Sequence, residues 1–147
     1  MLPDLYGKVR PRLLRPLETR GNTLRPCLVH GDLWDGNAAV QAKSSRLCFF
    51  DASSLWVNNE YDMHTWRASR YRVGRTFLKK YFRRFPMSPP EEGWDDRNQL
   101  YSLISNLHSS TLYTQSGKFR DLLIQSIRAL IENFPNGYEG SAERKSA

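Results

Sequence analysis

Apolar positions along the chain fall into two rhythms. Between residues 27 and 50 they come as short runs, Cys27-Leu28-Val29, Ala38-Ala39-Val40 and Leu47-Cys48-Phe49-Phe50, each bounded by polar or glycine-bearing stretches. Runs this short suit strands flanking loops rather than helices. Further on the spacing becomes helical. Leu100, Leu103, Ile104, Leu107 and Leu112 form one stripe, and Phe119, Leu122, Leu123, Ile127, Leu130, Ile131 and Phe134 form a second. The first of these helices is expected to be capped by Asp95 or Asp96 and to end near Gly117, and the second to stop at Pro135-Asn136-Gly137.

Between these regions, Trp66, Tyr71, Phe77, Tyr81, Phe82 and Phe85 recur every three to five residues or so. This spacing predicts two helices, about Glu60 to Tyr71 and Gly74 to Phe85, followed by a loop marked by Pro86, Pro89, Pro90 and Gly93. The start of the chain reads as helical or irregular, broken near Pro11 and Pro16. The expected class is α+β, mostly α, with a small β-hairpin. Residues 1–136 are expected to form one lobe, and 137–147 a small, polar, disordered tail. No internal repeat or linker divides the chain.

Composition adds little to this picture. A chain of 147 residues with 39% hydrophobic and 25% charged residues is one ordinary domain's worth. No apolar stretch approaches the roughly 20 residues needed to span a membrane, and the first residues lack the apolar core of a secretory signal. The expected location is the cytoplasm, with no membrane partner. Cys27 and Cys48 lack metal spacing and are expected as reduced residues in buried strands.

Charge changes the picture more. The net charge is +7, and Arg67, Arg70, Arg72, Arg75, Lys79, Lys80, Arg83 and Arg84 fall in a window without one acidic residue. Such a patch invites a nucleic-acid reading, but no nucleic-acid motif accompanies it, so specific binding of that kind is not expected. The patch is expected to be a solvated helix face, with attraction of phosphate or an acidic surface as the functional alternative.

The chemistry concentrates in His30 to Asn37, which reads His-Gly-Asp-Leu-Trp-Asp-Gly-Asn, and in Asp51, fourteen positions beyond Asn37 at the end of an apolar run. In phosphoryl transfer by kinases, an Asp accepts the proton of the substrate hydroxyl. An Asn five residues later binds Mg²⁺, and an Asp after a strand holds the same metal. Asp32, Asn37 and Asp51 occupy those spacings. Base and ligand must face one small volume, and Gly36 is expected to allow the turn that brings them together. Mg²⁺ takes oxygen ligands, which Asn37 and Asp51 supply.

At these residues the chain resembles the fructosamine kinase family, the ketosamine-3-kinases that include protein-ribulosamine 3-kinases, themselves similar to aminoglycoside and choline phosphotransferases. Trp34 sharpens the resemblance, because the run His-Gly-Asp-Leu-Trp-x-Gly-Asn looks like the ketosamine kinases in particular. Arg12-Leu13-Leu14, Arg25-Pro26-Cys27-Leu28-Val29, Glu60-x-Asp62, and Arg97-Asn98-Gln99-Leu100-Tyr101 leading into Asn106-Leu107-His108 also look like that family. The resemblance covers about Lys8 to Phe134. The chain departs from it at Asp51-Ala52-Ser53, where the family commonly has Asp-Pro-Ala. It departs again at Met63-His64-Thr65, where the family has a Leu-Ala-Met-like run.

The resemblance implies the C-terminal lobe of a protein-kinase-like, aminoglycoside phosphotransferase-like fold, with the hairpin carrying the catalytic and metal loops. It implies ATP and Mg²⁺ as cofactors, and a ketosamine, small or carried on a glycated protein, as the acceptor phosphorylated at its 3-hydroxyl. Asp32 is then the base, Asn37 and Asp51 the metal ligands, and Trp34 a substrate-stacking or core residue. His30, Glu60 and Asp62 support the loop, Asp35 faces solvent, and Ser53 and Ser54 are turn residues. Only twenty-nine residues precede His30, and they carry no Gly-rich hairpin or strand lysine. The expectation is therefore a lobe without its nucleotide clamp, either a catalytic half or an inactive binding module, open beside its site and able to self-associate.

Overall fold

The computed structural model describes residues 1–138, and the rest of the expected tail lies outside the described residues. The chain forms two compact units. One is Met1–Thr23 with the chain from Pro89 onward, and the other is Leu24–Ser88.

The first unit is helical. Its opening segment does not break at Pro11: α1 (Leu2–Asp4), a π turn (Leu5–Val9), α2 (Arg10–Leu14) and a 3-10 turn (Arg15–Glu18) follow one another directly. Pro11 has no N–H and its ring would crowd the carbonyl four residues back. The wider turn just ahead of it, in which the Arg10 N–H reaches the Leu5 carbonyl, makes room for that ring. Leu5, Val9 and Leu13 then share a core with Leu103 of α4 (Trp94–Leu112) and Ile127 and Leu130 of α5 (Lys118–Asn133).

Both C-terminal helices form where the apolar stripes placed them, but their ends differ from the expected caps. Gly93 precedes α4, and Gly117 is the N-cap of α5 rather than the C-cap of α4, which stops at Leu112. Ile104, Leu107 and Leu112, read as core positions, are exposed. Residues 137 and 138, expected in the tail, pack on the helical unit. Gly137 sits against Lys8, and the Tyr138 hydroxyl lies 3.3 Å from Thr19 Oγ1.

The second unit holds four three-residue strands. β1 (Cys27–Val29) pairs antiparallel with β4 (Leu55–Val57), and β2 (Ala38–Val40) with β3 (Leu47–Phe49). β4 was not expected from the apolar runs, because Leu55-Trp56-Val57 is short and follows two serines. Period-2 alternation turns Val29 inward and leaves the cross-strand pair Leu28 and Trp56 exposed. Val40, Leu47 and Phe49 share one open face of the β2–β3 hairpin, with Phe50 exposed beside them. Cys48 is exposed and Cys27 half-buried, so neither is the core thiol expected, although both are free.

Instead of two long amphipathic helices, residues 59–85 form a 3-10 helix (Asn59–Arg67), an irregular turn, a short 3-10 turn (Arg75–Phe77) and α3 (Leu78–Phe82). Aromatic packing replaces the helical stripe. Tyr81 stacks on Phe85 at 5.2 Å and meets Trp66 edge-on at 6.0 Å, and its hydroxyl donates to the Asn59 carbonyl at 3.1 Å.

Candidate functional site

Every residue singled out from His30 to Asp62 lies in the second unit. β1 ends at Val29 and delivers the loop His30–Leu33 onto the 3-10 helix. There the Asp62 carboxylate accepts two backbone N–H groups at once, His30 at 3.1 Å through Oδ2 and Gly31 at 2.8 Å through Oδ1. One turn on, Thr65 Oγ1 and Trp66 Nε1 both donate to the Leu33 carbonyl, at 2.6 and 2.8 Å. A 3-10 helix repeats every three residues, so positions 62 and 65 face the same way and grip both ends of the loop. Gly31 has a φ of +83°, and a Cβ there would collide with the Ser53 carbonyl. Only glycine fits.

His30 folds back over the loop. Its Nδ1 accepts the Asp32 N–H at 3.3 Å while Nε2 lies 3.0 Å from the Phe50 carbonyl, an arrangement that requires the neutral ring with its proton on Nε2. The Phe50 N–H in turn donates to the Asn37 carbonyl at 3.1 Å. These bonds join the stretches carrying Asp32, Asn37 and Asp51 into one corner. Asp51 stands at the bend with a φ of +56°, a left-handed conformation that Asp tolerates better than most side chains.

Asn37 is buried, and its amide nitrogen donates to the Asp32 carbonyl and to Asp32 Oδ2, both at 2.9 Å, and reaches the Asp51 carbonyl at 3.5 Å. Three oxygens around the nitrogen fix which way the amide points. Its Oδ1 takes no hydrogen bond among the described residues, so a hard cation can use it. No group of three His, Cys, Asp or Glu side chains able to hold a metal exists among the described residues. Oxygen donors such as the Asn37 Oδ1 and the Asp51 carboxylate are of the kind Mg²⁺ takes alongside phosphate and water.

Gly36 lies in the expected turn, the 3-10 turn Asp35–Asn37, but for a reason other than backbone freedom. Its φ is not positive, and a Cβ there would strike the Trp34 ring, which lies directly over it. The Trp34 ring packs against Tyr71 at 5.1 Å between centroids, and the Arg70 guanidinium sits 4.6 Å from the Tyr71 ring. Asp35 is not simply solvent-facing, because its Oδ1 accepts the Arg72 N–H at 2.8 Å.

Glu60 is fully buried and holds the far end of the unit: its Oε1 accepts the Ser88 N–H at 2.7 Å, while Asn58 Oδ1 caps the Glu60 N–H at 2.9 Å. His64 is buried with Nδ1 donating to the Tyr61 carbonyl at 2.7 Å. Desolvation pushes its pKa below the ordinary value, against the pull of that bond and of Asp62 and Asp32. Burial likewise raises the Tyr81 hydroxyl to about 12.

The structure thus brings Asp32, Asn37, Asp51, His30 and Asp62 together, leaves Trp34 at their edge, and puts Glu60 at the Ser88 end. Thr65, Trp66, Tyr71 and Arg72 also hold the loop, and the sequence pointed to none of them in that role.

Comparison with known proteins follows this geometry. The family model described as fructosamine kinase matches residues 8–133. A chloroplastic protein-ribulosamine 3-kinase of Arabidopsis thaliana is 33% identical over 91 residues, 61% of this chain and 26% of its own length. A mouse ketosamine-3-kinase is 34% identical over 99 residues, 67% of this chain and 28% of its own. The matched stretch therefore spans about a quarter of each relative. The crystal structure of an assigned fructosamine-3-kinase from Haemophilus somnus 129PT shares the fold, with a TM-score of 0.62 at 22% identity, covering 80% of this chain and 37% of that one.

Proposed function

Because the chain belongs to the fructosamine kinase family, we propose that its corner of Asp32, Asn37 and Asp51 transfers a phosphoryl group from ATP to the 3-hydroxyl of a ketosamine. The observation carrying this reading is the Asn37 amide, whose nitrogen joins the Asp32 carboxylate to the Asp51 turn while its oxygen stays open. Phosphoryl transfer asks a protein mainly to position groups and neutralise charge, and this corner is built for position.

Asp32 is the base. One of its carboxylate oxygens is tied to Asn37, which leaves the other to accept the proton of the acceptor hydroxyl. His30 Nδ1 accepts the Asp32 N–H and Asp62 accepts the two N–H groups just before it, those of His30 and Gly31, so the carboxylate keeps its aim without help from substrate. Asn37 Oδ1 and the Asp51 carboxylate would hold Mg²⁺, which supplies neutralisation of phosphate charge when bound. Trp34 forms the edge on the acceptor side, where an aromatic face suits the apolar side of a sugar ring.

The test is phosphorus NMR of the chain incubated with Mg-ATP and a ribulosamine. A phosphomonoester at the 3-hydroxyl is expected, and Asp32→Asn lowers its rate by about 10²- to 10⁴-fold. Equal product from both proteins, or from neither, overturns the assignment.

A further inference from the structure

We infer that the helical unit carries a binding site of its own, distinct from the catalytic corner, for a small zwitterion with an apolar side chain, of the α-amino acid class. A cavity of about 420 Å³ lies in this unit, walled by residues of α2, of the turn after it and of the start of α4. Its size is that of a small-molecule site, and Asp32, Asn37 and Asp51 take no part in its wall. Charges of both signs line it. Arg12 and Arg20 contribute cations and Glu92 and Asp96 anions, yet none of the four side chains makes a hydrogen bond or an ion pair among the described residues. Opposite charges in one wall that do not neutralise each other leave both signs to a ligand, and a partly dewatered wall strengthens the attraction. A molecule carrying a carboxylate and an ammonium answers both at once. Leu13, Pro16 and Phe134 add apolar wall for its side chain.

The wall is held in place before any ligand arrives. Arg97 is buried, with Nη1 donating to the Pro90 carbonyl at 2.8 Å, and a Cβ at Gly93 would come within 3.0 Å of that same nitrogen. Residues 19–22 form a turn closed by the Asn22 N–H on the Thr19 carbonyl at 3.0 Å, and Asn22 Nδ2 ties it to the Pro16 carbonyl at 2.9 Å. Within that turn Arg20 has a φ of +56°, a left-handed conformation that Gly or Asn adopts more readily. The fold gains nothing from arginine at this exposed, unpaired position. A carboxylate does, because the planar guanidinium fork matches its two oxygens.

Nitrogen NMR of the intact chain, titrated with L-leucine in the absence of nucleotide, tests the site. Saturable shifts are expected at the amides of residues 20–22 and 92–97. N-acetyl-L-leucine, which lacks the ammonium, and L-leucinamide, which lacks the carboxylate, are each expected to bind about fivefold or more weaker. Arg12→Gln with Arg20→Gln is expected to erase the advantage of leucine over leucinamide, and Glu92→Gln with Asp96→Asn its advantage over N-acetyl-leucine. Lys79→Gln with Lys80→Gln, the same charge change as the first pair but on α3, keeps both. Shifts that stay linear through the millimolar range, or analogues that bind as tightly as leucine, overturn the inference. So does tighter binding of inorganic phosphate, which makes the cavity an anion site. The analogue comparison uses the unaltered chain, so it decides the matter even where a variant fails to fold. No turnover enters these readings, so the site and the kinase assignment fail separately.

Discussion

Replacing Asp62 with Asn tests the frame of the site most directly, because the two side chains have the same shape and differ in what they can accept. The carboxylate takes N–H groups from His30 and Gly31 on separate oxygens. An Asn offers one oxygen and turns an NH₂ toward the other donor, so one buried N–H loses its partner and the remaining bond loses its charge. A hydrogen bond to a charged group contributes about 1.5–3 kcal/mol, and stranding a buried donor costs about 1–3 kcal/mol. The variant is therefore expected to be destabilised by about 2–4 kcal/mol.

Urea unfolding followed by tryptophan fluorescence is a suitable assay, since Trp34 and Trp66 lie in the same unit as Asp62. The midpoint shifts at constant slope if the loss is in the folded state. Asp35→Asn is the control. It also removes a carboxylate that accepts a backbone N–H, but it keeps an oxygen for the single Arg72 donor, and it is expected to cost within about 0.5 kcal/mol. A free-energy change for Asp62→Asn no larger than that of the control would refute the two-bond clamp. Nitrogen shifts of His30 give a second reading, because a loosened loop releases Nδ1 and Nε2 from their two partners.

Two further substitutions probe the same region. Gly36→Ala is expected to displace the Trp34 ring from Tyr71 and to cut activity more than stability, visible as a change in Trp34 emission, and an unaltered spectrum would contradict the packing described. His64 makes stability depend on pH: above its unfolded pKa of 6.5 both states are neutral, but below it the unfolded chain binds the proton first, so stability falls as pH drops. The slope is at most about 1.4 kcal/mol per pH unit, and His64→Gln is expected to flatten it in urea midpoints measured between pH 7 and 5.

Some of these features were legible in the sequence because they are carried by spacing. Three of the four strands, both C-terminal helices and the grouping of Asp32, Asn37 and Asp51 follow from short apolar runs, helical stripes and fixed intervals along the chain. What spacing misread was the region from 59 to 85. There the aromatics recur at helical intervals yet pack as a cluster around Tyr81, on a 3-10 helix and a turn. Periodicity reports that these residues pack together, not which backbone carries them.

The hidden part of the site is of one kind. Thr65 and Trp66 act on the Leu33 carbonyl of the loop, as Asp62, which was expected to support it, acts on its N–H groups. Every residue carries those groups, so such contacts leave no signature in the identity of the partner and no interval to search for. Gly31 and Gly36 show the same limit from the other side. Gly31 is required by a positive φ beside the Ser53 carbonyl, and Gly36 by the indole lying on it. The motif therefore records two separate constraints. Gly31 and Asp62 set the path of the loop, and Trp34 with Gly36 sets its edge, so substitutions at the first pair are expected to act on folding and at the second on the acceptor.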